Sequence, residues 1–137
     1  MGEVRTEHRD GALVVTIDRP EDRNTITYAV LDELLAVFAA VEDDRTVRAV
    51  VVTGAGDWFS AGTDLRPAAG GYDADQVGFK PLRGGTRDVG GDLALSIFAS
   101  TRPVIAAMNG YAIGIGTTIV LPMDIRIAAE DARFGLT

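Results

Sequence analysis

Pro103-Val104-Ile105-Ala106-Ala107-Met108-Asn109-Gly110-Tyr111-Ala112-Ile113-Gly114-Ile115-Gly116-Thr117-Thr118 decides how the rest of the chain is read. Pro103 fixes its own φ and has no N–H, which suits a strand entry. Val104 to Met108 are apolar without a break, as in strands covered on both faces, and Asn109-Gly110 is a turn signal. Gly114 and Gly116 let the main chain come close to whatever packs above it. With Thr117-Thr118-Ile119-Val120-Leu121 read as helical, the unpaired first-turn N–H groups and the helix dipole aim at the place the glycines leave open. Two readings stand here: a site for an anion or oxyanion made of backbone donors, or simply a tight, well-packed connection. The G-x-G lacks the third glycine of a dinucleotide fold, and no acidic residue follows a next strand to meet a ribose. The Gly-Lys-Ser/Thr of a P-loop does not occur in the chain.

Upstream, Val4–Arg9 alternates weakly, Asp10-Gly11 is a hairpin turn signal, and Ala12–Asp18 is a stronger strand, so the protein opens with a β-hairpin. Arg19 to Asn24 is a polar loop, and Thr27 is placed to cap a helix over residues 28–41. Val30, Leu31, Leu34, Leu35, Phe38 and Val41 fall on one face at helical spacing and belong to the core. The β-branched run Val47–Thr53 is a buried strand ending at Gly54-Ala55-Gly56, and strand, helix, strand in this order predicts a right-handed parallel crossover. Asp57 to Leu65 is a short apolar stretch closing on small residues and Asp64. Asp64 reads either as the carboxylate of a capped turn or as a functional group. Residues 66–91 hold seven of the 16 glycines, and read as a flexible loop or a short helix flanked by loops. Asp92 is placed to cap a helix through Ser100, with Leu93, Ile97 and Phe98 inward. Pro122 ends the apolar segment after the glycines, and Met123–Ala129 is a further strand in which Asp124 and Arg126 pair locally or cover an edge.

The chain has 137 residues, 47% of them apolar, which suits one domain with a sizeable core. Ala132 to Thr137 read as a strand start with nothing after it, so the expectation is a domain incomplete at its C-terminus. Net charge is −7, against a nucleic-acid surface. Cysteine is absent, which removes disulfides, thiolate nucleophiles and cysteine metal sites. The only histidine, His8, sits in the polar first strand, far from the glycine turns, against a Ser-His-Asp hydrolase or a histidine-rich metal site. No apolar signal core or membrane-length run appears, and a cytoplasmic location, with no membrane, nucleic-acid or metal partner, is the expectation.

Two donor turns about fifty residues apart, Phe59-Ser60-Ala61-Gly62-Thr63-Asp64-Leu65 and Asn109–Gly116, together resemble the crotonase family, also called the enoyl-CoA hydratase/isomerase family. Asp18-Arg19-Pro20 with Arg23-Asn24, the strand Val47–Thr53, Pro103–Ala107, Met123–Ala128 and Ala132-Arg133-Phe134-Gly135 follow in family order, so the resemblance covers essentially residues 1–137. It implies an α/β fold, the crotonase-like ββα spiral, here without its C-terminal helical part. It also implies an acyl-CoA thioester as substrate, and assembly as a homotrimer or hexamer. The enolate-like oxyanion is then held by two backbone N–H groups, those of Thr63 and Ile115. Ile115 stands where glycine is more usual, which narrows the space above the turn. Ala61, Asp64, Leu65, Arg66 and Gly114 are the implied substrate contacts. Arg23 is either a contact to the CoA phosphates or a solvated loop charge. No separate cofactor is implied, because coenzyme A is part of the substrate. Thr118 replaces the first glutamate of hydratases, and the second falls beyond Thr137. The expectation therefore leans to moving a double bond, from 3-enoyl-CoA to 2-enoyl-CoA, with the catalytic carboxylate beyond Thr137. The alternative is a catalytically silent CoA-binding or scaffold member of the fold.

Overall fold

Asp10 and Gly11 both take positive φ, 50° and 86°, the pair of conformations a two-residue hairpin turn of this hand requires. The chain therefore folds back sharply, and β1 (Val4–Arg9) runs antiparallel to β2 (Ala12–Ile17), with Val4 opposite Ile17 and Arg9 opposite Ala12. The computed structural model describes residues 2–66, 80–82, 85–87 and 89–136.

The Thr27 hydroxyl accepts the Val30 N–H and starts α1 (Tyr28–Asp43), whose buried stripe is Val30, Leu31, Leu34, Phe38 and Val41, with Leu35 at its margin. Thr27 leaves one orphan donor fewer at the helix start. The helix returns the chain to β3 (Ala49–Gly54), parallel to β2 with Val15 beside Val52, as the crossover rule requires. Then follow β4 (Trp58–Ser60), β5 (Lys80–Leu82), β6 (Gly85–Arg87), α2 (Val89–Ala99), β7 (Val104–Met108), β8 (Tyr111–Ile113), α3 (Ile115–Thr118), β9 (Ile125–Ala128) and β10 (Phe134–Gly135).

Among the described residues the strands make a five-stranded sheet in the order β1-β2-β3-β7-β9 and a three-stranded sheet in the order β10-β8-β4. The pairs β3/β4, β7/β8 and β9/β10 each leave one strand in the large sheet and the next in the small one, stepping the same way in both. A helix separates the first two pairs, and α3 separates the second from the third. This is the ββα spiral of the crotonase fold. Its core lies where α1 and α2 cover the large sheet, with Val15, Ile17, Val50, Val52, Leu93 and Ala106 at or below 1% exposure.

Several local expectations are corrected. The span 66–91, read as a flexible loop or a short helix flanked by loops, holds the antiparallel pair Lys80–Leu82 and Gly85–Arg87 and the start of α2; residues 67–79, 83, 84 and 88 lie outside the described residues. The second helix begins at Val89, so Asp92 sits in its first turn rather than capping it, and ends at Ala99. Leu93 and Ile97 are buried as expected, but Phe98 is 76% exposed: one residue past Ile97 is a 100° rotation off the buried line. Residues 104–108 alternate between buried and half-buried, so one face of β7 is covered more fully than the other. The helix after the glycines starts at Ile115 rather than Thr117, because Tyr111–Ile113 extends as a strand between β4 and β10. Asp124 and Arg126 take separate partners: Asp124 accepts the Val104 N–H at 2.8 Å, while Arg126 Nη1 donates to the carbonyls of Val120, Leu121 and Met123. No helix among the described residues is long and apolar enough to cross a membrane.

At Gly110 a methyl group would stand 1.9 Å from the Asp57 carbonyl oxygen, against main chain that cannot swing away. Gly110→Ala is expected to lower unfolding stability by about 1–3 kcal/mol through overpacking, read from the urea midpoint. Gly2→Ala meets only the end of the Glu33 side chain, whose carboxylate accepts the Glu3 and Val4 N–H groups, and should cost less than Gly110→Ala because a side chain gives way more readily than main chain. Equal midpoints for all three proteins would show that the close approach at Gly110 is not a constraint.

Candidate active site

The link from β3 to β4 is held by two asparagines. Asn24, fully buried, donates through Nδ2 to the carbonyls of Ala55 (2.8 Å) and Trp58 (2.6 Å), and its Oδ1 accepts the Arg19 N–H. Asn109 donates to the carbonyls of Gly56 (2.7 Å) and Trp58 (3.3 Å), and accepts the Gly54 N–H at 3.1 Å. Asn24 adopts φ 53°, a left-handed conformation asparagine tolerates better than most residues.

Beyond β4 the chain turns at Gly62 (φ 98°). Ile26 donates its N–H to the Gly62 carbonyl (2.8 Å) and accepts the Asp64 N–H (2.9 Å), a parallel bridge between Ile26 and Thr63. In such a bridge the middle residue of the second strand faces away from its partner. The Thr63 N–H accordingly points off the bridge and has no acceptor among the described residues. Beyond β8 the chain turns at Gly114 (φ 54°, ψ −122°). The Gly114 N–H bonds to the Gly135 carbonyl, and the Thr117 and Thr118 N–H groups return to the Gly114 carbonyl. The Ile115 N–H has no acceptor among the described residues either.

The two turns touch. A methyl on Gly62 would lie 2.9 Å from the Ile113 carbonyl oxygen and 3.9 Å from the Gly114 Cα, and one on Gly116 would lie 2.8 Å from both the Ser60 Cβ and carbonyl oxygen. The Leu65 and Gly116 N–H groups likewise have no acceptor among the described residues, but Thr63 and Ile115 are the ones that each directly follow a positive-φ glycine on these touching turns, which sets an acceptor-free amide at the head of each. Thr117 locks the second turn, its hydroxyl lying between the carbonyls of Ala112 and Gly135. Thr118 is exposed and donates back to the Ile115 carbonyl at 3.2 Å.

Asp64 is 1% exposed, yet ionised. Arg66 grips it with Nε on Oδ1 (3.0 Å), Nη2 on Oδ2 (2.7 Å) and its own backbone N–H on Oδ1 (3.0 Å). Thr25 Oγ1 adds a hydrogen bond to Oδ2 at 3.1 Å, and both Arg19 Nη atoms stand 3.4 Å from that oxygen. The Arg66 guanidinium holds the Asp64 carboxyl far below the usual carboxylate range, outweighing the burial that pushes it up. Arg66 also binds Asp22 at 2.8 Å, which holds the Asp22 carboxyl down. Both Asp64 oxygens are therefore occupied, and the group is a structural anion rather than a free base.

The structure gathers Ala61, Thr63, Asp64, Leu65 and Arg66 on one turn and Gly114 and Ile115 on the turn against it. Leu65 is 71% exposed. Arg23 joins them only through its carbonyl, which accepts the Ala61 N–H at 3.0 Å. Its exposed guanidinium lies 5.5 Å above the Trp58 ring, which stacks on Tyr111 with centroids 4.6 Å apart. The important residue missing from the candidate list is Arg19, 5% exposed, with Nε on Glu3 (3.0 Å) and Nη2 on Asp22 (2.7 Å). In sequence it is one charge among several in a polar loop, and two of its three acidic partners, Glu3 and Asp64, lie far from it along the chain. Among the described residues no set of three or more histidine, aspartate or glutamate side chains is placed to hold a metal ion.

The family profile described as enoyl-CoA hydratase/isomerase matches residues 7–137. The enoyl-CoA hydratase ACTT3 of Alternaria alternata is 40% identical over 124 residues, which are 90% of this chain and 40% of that protein. The 2,3-dehydroadipyl-CoA hydratase of Escherichia coli K12 is 33% identical over 136 residues, 99% of this chain and 50% of that protein. A monofunctional enoyl-CoA isomerase from M. smegmatis has a crystal structure that superposes with a TM-score of 0.77 at 32% identity, covering 98% of this chain and 53% of that one. The chain thus spans about half the length of the relatives it matches.

Asp64→Asn keeps the shape and removes the charge, leaving the buried Arg19 short of a counter-ion. The expected cost at pH 7 is about 3 kcal/mol, as for other buried pairs that lose one partner. Because folding depresses the Asp64 pKa, its contribution is complete above the ordinary value of 3.8 and is lost as pH falls below it. The stability gap between parent and variant, measured by urea unfolding, should therefore narrow between pH 5 and the acid limb below roughly pH 3. A constant gap across that range would contradict the ion-pair assignment.

Proposed function

We propose that this chain, which belongs to the enoyl-CoA hydratase/isomerase family, binds an acyl-CoA thioester with the thioester oxygen between the backbone N–H groups of Thr63 and Ile115. The observation that carries this reading is the pair of acceptor-free amides on touching glycine turns. Removal of a proton from C2 of an acyl thioester places negative charge on the carbonyl oxygen. Two fixed N–H donors stabilise that enolate more than the neutral ester, and comparable donors are worth about 10²–10³ in rate each. Backbone donors tolerate side-chain change, so Ile115 serves as glycine does, with its side chain limiting the room above the turn.

Double-bond isomerisation needs one base, which takes the C2 proton of a 3-enoyl-CoA and returns it to C4, leaving the 2-enoyl product with atoms and charge balanced. Hydration needs carboxylates that hold and activate water. Thr118 offers a hydroxyl where hydratases carry a glutamate, and Asp64 is fully engaged by arginines, so the reading leans to isomerisation. The proton-transfer carboxylate then stands outside these two turns. Leu65 and Ala61 supply apolar contact to the acyl portion, and Arg66 and Gly114 frame it. Arg23 keeps guanidinium N–H groups for a CoA phosphate while its face rests on Trp58. Coenzyme A enters as part of the substrate. A trimer or pair of trimers is the proposed assembly.

A second reading, thioester binding without turnover, draws on the same occupied state of Asp64 and on Thr118. Calorimetric titration with a 2-enoyl-CoA, together with assays for 3-enoyl-CoA isomerisation and 2-enoyl-CoA hydration, separates the readings. Isomerisation is the expected result for a protein that carries these residues together with the carboxylate proposed beyond Thr137; saturable binding with neither conversion in that protein selects the second reading, and absence of binding overturns both. Thr118→Ala should change isomerisation less than about threefold, since removing a true acid–base group costs about 10²–10⁴; a hundredfold loss would make Thr118 that group.

A further inference from the structure

We infer that Arg19 is a positioning residue that fixes the Thr63 amide by pinning both ends of the segment on which it rides; the inference rests on the oxyanion reading above. Arg19 is buried at 5% exposure, and its guanidinium reaches three separate stretches of chain. Nε binds Glu3 ahead of β1, Nη2 binds Asp22 in its own loop, and Nη1 donates to the Thr25 carbonyl at 2.8 Å. Both Nη atoms stand 3.4 Å from Oδ2 of Asp64, the residue directly after Thr63. The main chain of Arg19 is equally committed: its N–H donates to Asn24 Oδ1 and its carbonyl accepts the Asn24 N–H at 2.8 Å.

Asn24 in turn holds the Trp58 carbonyl at the start of β4. Seven residues, Trp58 to Asp64, are therefore held at the first by Asn24, which the Arg19 main chain orients, and at the last by a carboxylate that the Arg19 guanidinium meets at 3.4 Å from outside the turn. Between them the backbone bridge from Ile26 leaves Thr63 facing outward. Arg66 binds the same carboxylate more closely, but its side chain is 56% exposed and it belongs to the very turn it would have to fix. Arg19 comes from a different element and is shielded from solvent, so its planar fork transmits the position of the 19–25 loop to the amide. A lysine ammonium carries the same charge but cannot reach Glu3, Asp22, Thr25 and Asp64 together.

The test reads the donor itself. A 2,4-dienoyl-CoA absorbs at longer wavelength when its thioester oxygen receives hydrogen bonds, so the shift of the bound probe measures the oxyanion site independently of turnover. The parent chain is expected to bind the probe with a red shift. Arg19→Lys should lose at least half of that shift while the dissociation constant for free coenzyme A changes less than about twofold. Thr25→Val, which removes the hydroxyl that donates to Asp64 Oδ2 and accepts from Arg19 Nη1 and leaves the ion pairs, should lose a smaller part, and decides the matter if Arg19→Lys does not fold. A merely structural role would lower the melting temperature of the variants and leave the shift of the folded, probe-bound protein unchanged; that result overturns the inference. A parent that binds the probe with no shift overturns instead the assignment of Thr63 and Ile115 as oxyanion donors.

Discussion

Where the 61–64 turn meets the 113–116 turn, main chain lies on main chain with no room for side chains between. That close approach governs the small sheet. β4 and β8 pair in parallel with a shift in register between Trp58 and Ser60, and both strands must reach their turns at the same height for Gly62 to meet Ile113. The asparagines at 24 and 109 set that height by sharing the Trp58 carbonyl, one from each side. Their amide groups fill hydrogen-bonding positions that a short, irregular strand leaves without ladder partners.

Electrostatics does the complementary work on the other side of the first turn. Glu3, Asp22 and Asp64 face Arg19 and Arg66 across distances of 2.7–3.4 Å. Burying charge is costly, and a cluster of this kind is a weak source of net stability. Its value lies in direction: a guanidinium fork fits only one arrangement of carboxylates, so the loop at 19–25 and the turn at 61–66 have one relative placement.

Local signals carried much of this into the sequence. Asp10-Gly11, the Thr27 cap and the stripe from Val30 to Val41 depend on neighbours within a few residues, and each is found where residue chemistry put it. The ordered motifs around the two glycine turns gave the spiral and the family. What escaped depended partly on contacts between distant segments and partly on where α2 begins and how it is turned. Tyr111–Ile113 is a strand because β4 and β10 flank it, and Val89 begins a helix ahead of the more obvious cap at Asp92. Phe98 faces outward because the buried line of α2 runs through Leu93 and Ile97. Arg19 was invisible as a buried group because its counter-ions come from positions 3, 22 and 64; nothing in a linear reading joins them.

The like-ordered stepping of strands through both sheets gives the molecule the thermodynamics of a short stack. Each circuit rests mainly on the one before it, so opening propagates by neighbours, as in repeat arrays. The circuit of β3 with β4 is flanked on both sides in the large sheet, by β2 and β7, so the amide protons of β3 belong to a well-protected cooperative unit. Gly135, whose carbonyl receives the Gly114 N–H, belongs to the circuit that follows the second glycine turn, so any opening between those two circuits is felt first at that turn.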